Sequence, residues 1–78
     1  MVKVKFFGIL ASYMPETDEE GFWVADHAGS TIRQVAELAG LDKAGIKYST
    51  LVNNARKTGD YVLAEGDVLT VMPMLAGG

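Results

Sequence analysis

The chain contains no cysteine. That excludes disulfides, thiolate metal sites and any thiol chemistry of its own, so packing alone must hold the fold. No apolar run approaches the roughly 20 residues of a membrane span. The opening stretch MVKVKFFG is too short and too alternating for a signal peptide. A cytoplasmic protein without a membrane partner is therefore expected. A basic face is missing as well: ten acidic residues against seven basic ones leave a net charge of -3. Phosphate neutralisation supplies most nucleic-acid affinity, so a nucleic-acid partner is not expected. The single histidine, His27, falls short of the three or four ligands a metal site needs and is read as structural or solvated. There is no GxxxxGK phosphate loop. The chain thus has no catalytic machinery of its own, and no bound cofactor or metal is expected.

What is present is enough apolar material for a core. Of 78 residues, 49% are hydrophobic and 22% charged, the composition of a folded domain. A chain this short buries only about 60% of its unfolded surface, which leaves room for one domain, residues 1–78, with one small core. Four acids crowd into the stretch PETDEEG, between Glu16 and Glu20. Such a run reads as a solvated loop.

From Val2 to Leu10 the pattern has a period of two, with Val2, Val4 and Phe6 on one side and Lys3, Lys5 and Phe7 on the other. That is a half-buried strand in which Phe7 breaks the polar face. A loop through Met14, Pro15 and Gly21 leads to FWVAD, a short second strand that pairs with the first as a hairpin and sends Trp23 to the core or its cover. In STIRQVAELAG the period changes: Ile32, Val35, Ala36 and Ala39 form one helical stripe, with Leu38 at its margin. Thr31 and Gln34 have the spacing of a capping box, and Gly40 suits the left-handed position past the helix end. STLVN reads as a strand, NARKTGD as turn chemistry served by Asn53 and Asn54, and VLTVM as a last strand entered through the turn EGD. A very short strand is expected around Tyr61. Leu69 and Val71 need burial, which places the last strand beside the first, parallel to it, in the sheet centre.

The sequence closes on Leu75, Ala76, Gly77 and Gly78. Together with VKVKFFG, STIRQVAELAG, LVNN and LAEGDVLTVMP, in this order and spacing, that ending resembles the small sulfur-carrier proteins of the MoaD and ThiS group. The paired phenylalanines and the proline before the tail are more similar to the small subunit of molybdopterin synthase than to the thiazole carrier. The resemblance covers nearly the whole chain. It implies an α+β, ubiquitin-like β-grasp: a mixed four- to five-stranded sheet gripping one main helix, with a flexible Gly-Gly tail over about residues 74–78.

The resemblance also implies a function. A ubiquitin-activating-type enzyme would use ATP to adenylate the carboxylate of Gly78. Sulfur would then replace AMP, and the thiocarboxylate would pass its sulfur to an accepting enzyme such as the large subunit of molybdopterin synthase. Adenylation exchanges a poor leaving group for a good one, which splits one hard acyl transfer into two easier steps. Ala76 and Gly77 would thread the tail into narrow partner pockets, since glycine brings no side chain to clash with the walls. If the first and last strands are neighbours, Phe7, Met72, Met74 and Leu75 form an apolar patch beside the tail, of the kind that marks an interface. Arg56 would add a charged rim that steers an acidic partner surface. Two positions depart from the molybdopterin pattern: Ala11, where an arginine is often found, and Arg56, where an apolar residue is. The alternatives are a carrier for thiamine, amino-acid or tRNA thiolation, a ubiquitin-like modifier joined to lysines, and an interaction module without chemistry at its end.

Overall fold

The computed structural model describes residues 1–74; Leu75, Ala76, Gly77 and Gly78 lie outside the described residues. Five strands form one mixed sheet: β1 (Val2–Phe6), β2 (Trp23–Ala25), β3 (Tyr48–Val52), β4 (Ala55–Arg56) and β5 (Val68–Pro73), in the order β2-β1-β5-β3-β4. One helix, α1 (Ile32–Leu38), covers one face. β1 and β5 are parallel neighbours in register Val4 with Leu69 and Phe6 with Val71, while β1 with β2 and β3 with β5 are antiparallel.

The alternation fixes which side chains meet. Val2, Val4, Phe6, Trp23, Val52, Leu69 and Val71 point to the helix side and are buried with Ile32, Val35 and Ala36. Leu10, Leu41 and Leu63, each from a connection, close the core around them. Each such side chain contributes about 1.5–3 kcal/mol on burial. Trp23 meets Phe6 edge-on at 6.5 Å between ring centroids.

Three elements differ from the sequence expectations. The first strand stops at Phe6 instead of reaching Leu10. Gly8 takes a φ of +60°, and a Cβ there would come within 3.2 Å of the Pro73 ring, so the chain leaves the sheet and winds into a 3-10 helix, Gly8–Tyr13, that drops Leu10 into the core. NARKTGD is more than a turn: Asn53 and Asn54, both at positive φ, close a tight hairpin whose return arm is the two-residue β4. Around Tyr61 no strand forms; only Thr31 and Val62 make an isolated bridge. The segment is spent elsewhere: the carbonyls of Tyr61 and Gly59 accept from the N–H groups of Ile32 (3.1 Å) and Arg33 (3.0 Å), donors that a helix start leaves without intrahelical partners. The capping box completes that end, with Gln34 N–H donating to Thr31 Oγ1 at 3.1 Å and Thr31 N–H to Gln34 Oε1 at 2.8 Å. Gly40, at φ +86°, follows the helix end.

Candidate functional site

Among the described residues, no helix covers the face of the sheet away from α1. Register places Lys3, Lys5, Thr70, Met72, Leu51 and Arg56 on it. Phe7 joins them: its N–H donates to the Val71 carbonyl at 2.9 Å, which extends the parallel ladder one residue past β1 and sets Phe7 alongside Met72. Phe7 is 43% exposed. Lys5 Nζ lies 5.6 Å from its ring centroid and 5.1 Å from that of Phe22, and Lys3 Nζ lies 5.2 Å from Phe22. Both lysines therefore rest on aromatic faces, where cation–π attraction holds the stems flat and the apolar surface stays within reach of a partner.

Met74 sits differently from Met72. Its N–H donates to the Lys47 carbonyl at 3.4 Å, and its side chain lines a groove of about 310 Å³ at the outer edge of β3, with Arg33, Tyr48, Arg56 and Lys57 among the other walls. The candidate interface residues thus fall into two groups, Phe7 with Met72 on the open sheet face and Met74 with Arg56 in the edge groove, joined by Arg56, which belongs to both. Both surfaces lie at the end of the sheet where β5 exits. The candidate positions Leu75, Ala76, Gly77 and Gly78 lie outside the described residues.

The groove holds two side chains that sequence reasoning missed, Arg33 and Tyr48, beside Arg56 and Lys57. Arg33 follows the first residue of α1 and pairs with Asp60, and that hydrogen-bonded carboxylate raises the guanidinium's pKa further. Burial pushes the Tyr48 phenol above the usual tyrosine range, an effect the nearby Arg33 partly offsets. Lys57 Nζ stands 5.2 Å over the Tyr61 ring. The only signal in the sequence was that Arg33 lies off the apolar helical stripe, which says that it faces out but not toward what.

A second cluster lies at the other end of β5, where the strand begins. Asp67 is 8% exposed, and its carboxylate accepts from Asn53 Nδ2 at 3.0 Å and from the Ala64 N–H at 2.8 Å. Asn53 in turn accepts from the Val68 N–H at 3.0 Å, so the hairpin turn is clamped to the start of β5. His27 is buried against Trp23, ring centroids 4.7 Å apart, and its Nε2 has no hydrogen-bond partner among the described residues. Desolvation holds its pKa below the ordinary histidine value, with Asp26 pulling weakly the other way. His27 is thus buried on the core side of β2 and not solvated.

Among the described residues no group of three or more His, Asp or Glu side chains is placed to hold a metal ion, and no helix is long and apolar enough to cross a membrane.

The chain matches no protein-family model and no curated protein sequence. Its backbone is similar over nearly full length to solved structures that include the following two. SAMP1 from Haloferax volcanii superposes with a TM-score of 0.67 at 20% identity, over 99% of this chain and 98% of that one. One chain of the complex between subunits 1 and 2 of the molybdopterin-converting factor from Helicobacter pylori superposes with a TM-score of 0.53 at 22% identity, over 99% and 97%. The fold is a ubiquitin-like β-grasp. In this β-grasp the parallel β1–β5 pair sits inside the sheet and β5 carries the chain out at Met74, between the open face and the edge groove.

Proposed function

We propose that this chain is a sulfur carrier that works through the carboxylate of Gly78. An ATP-dependent adenylating enzyme of the ubiquitin-activating type forms the acyl-adenylate and releases pyrophosphate. Hydrosulfide, or sulfur delivered at that oxidation level, attacks the carbonyl carbon; the C–S bond forms, the C–O bond to AMP breaks, and AMP leaves. The thiocarboxylate then donates its sulfur in molybdopterin biosynthesis, to an accepting enzyme of the large-subunit kind, in the cytoplasm. ATP is used by the activating enzyme, and the carrier needs no resident cofactor.

The observation that carries this reading is the end-to-end superposition on one chain of a two-subunit molybdopterin-converting complex. It is supported by exposed Phe7 and half-buried Met72 beside the exit of β5, a surface suited to docking on more than one partner while Ala76 and Gly77 thread a channel. A ubiquitin-like modifier linked to lysines is the second reading, because the β-grasp and the adenylation step serve both.

The test is the intact mass of the chain after incubation with ATP, a sulfur donor and an activating enzyme from its own host. A gain equal to sulfur minus oxygen, on the peptide containing Gly78, is expected. Deleting Gly78 should abolish the gain and leave folding intact. Unimpaired adenylation of the truncated chain would sink the reading, and lysine-linked conjugates in host extract without a stable thiocarboxylate would move it to the modifier.

A further inference from the structure

The outer edge of β3 is only half covered. β4 pairs with Leu51 and Val52 alone, and Lys57 N–H then donates to the Thr50 carbonyl at 3.2 Å, while Thr50 Oγ1 donates to the Lys57 carbonyl at 2.5 Å. Since backbone groups alternate along a strand, the residue whose N–H and C=O face the same side as those of Thr50 is Tyr48. On the β5 side Tyr48 stands opposite Pro73 in a pair that exchanges no hydrogen bonds, and among the described residues neither its N–H nor its C=O has a hydrogen bond outward. An open pair of strand-edge groups is a template for another strand.

The walls beside that edge are chemically specific. Arg56 and Lys57 bring two positive charges that no acidic side chain pairs with among the described residues, whereas Arg33 is already held by Asp60. The whole chain carries -3, so this groove is a positive island on a negative molecule. Met74 and Tyr48 add apolar surface to the same groove.

We propose that the groove receives an acidic, extended segment of a partner protein. The segment adds to β3 as a strand at Tyr48, sets carboxylates on Arg56 and Lys57, and lays an apolar side chain on Met74. Main-chain bonds give such a complex its affinity, and the flanking side chains give its preference. The inference does not rest on the fate of Gly78: the groove is complete within residues 33–74. Because Met74 forms part of the wall, a segment seated there grips the protein next to the point where β5 ends.

The probe is a capped six-residue peptide alternating valine and glutamate, titrated into the full chain while backbone amide shifts and exchange are followed. The expected result is that the amides of Tyr48 and Thr50 shift and that of Tyr48 becomes protected. Binding should weaken from 0.1 M to 1 M salt, as the screening length falls from about 10 Å to about 3 Å. Reversing both charges, Arg56→Glu with Lys57→Glu, should weaken binding about tenfold with the melting transition little moved. Tyr48→Pro removes the edge donor and should abolish it; if that variant does not fold, protection of Tyr48 in the native chain decides. Equal affinity for a valine–lysine peptide, shifts confined to Phe7 and Met72, or the same shifts from inorganic phosphate alone would each overturn the proposal.

Discussion

Replacing Asp67 with alanine tests whether a polar clamp, and not only the apolar core, fixes the register of β5. The Asp67 carboxylate accepts two bonds, from Asn53 Nδ2 and the Ala64 N–H. Bonds to a charged acceptor are worth about 1.5–3 kcal/mol each. At the lower end the two bonds sum to about 3 kcal/mol; Asn53 and Ala64 lie at the surface, where water returns about 1 kcal/mol of that, and a net loss of about 2 kcal/mol is expected. At a typical total stability of about 4–12 kcal/mol for a chain of this size, that is a large share. It corresponds to a fall in Tm of roughly 8–16 °C. In urea the midpoint should drop with the slope unchanged, since the surface exposed on unfolding is the same. Asn53→Gly keeps the left-handed turn, φ +51°, and removes only the side chain. Combined with Asp67→Ala it should be less than additive by at least about 0.5 kcal/mol, the mark of one network. A loss below about 0.5 kcal/mol for Asp67→Ala, or strict additivity, would refute the clamp.

Gly8→Ala should cost about 1 kcal/mol in urea unfolding, because the left-handed backbone costs an L residue about 1–2 kcal/mol, part of which is regained from the unfolded chain; a more stable variant would contradict the Pro73 contact. Thr31→Ala should lose about 1 kcal/mol by opening the capping box, with Thr31→Ser near wild type. For His27 the folded pKa lies below the ordinary 6.5, so under that pH the unfolded chain binds the proton more readily. Stability should therefore fall as pH drops from about 6.5 toward the depressed folded value, and a Tm series on His27→Leu should lose this slope; an unchanged slope would assign it to other groups.

Much of this architecture was legible because it depends on local periodicity. The alternation of Val2, Val4 and Phe6, the stripe Ile32, Val35, Ala36, and the spacing of Thr31 to Gln34 each encode their own element. So does the apolar demand of Leu69 and Val71, which placed β5 beside β1. What escaped is contact between segments distant in sequence. Nothing near Gly8 announces that Pro73 will stand against it, so the end of β1 was read four residues too far along. Nothing near Tyr61 announces that Gly59 and Tyr61 will cap a helix some thirty residues earlier. The same limit applied to the site. Phe7 and Met72 could be singled out because they interrupt polar positions of strands, and Arg56 because it is charged beside a turn. Arg33 and Tyr48 come from other elements and meet the groove only through the fold.

The position of β5 inside the sheet decides how the molecule bears load. A partner that draws in the chain beyond Met74 pulls along β5, which is bonded to β1 on one flank and β3 on the other. Such a pull shears both ladders at once, and no single bond opens before its neighbours. At the two-residue β4 the same force would peel the pairing apart one step at a time. The strand through which a pull on the chain beyond Met74 must pass is bonded on both flanks, so the force reaches whatever holds that end instead of being lost in unfolding the domain.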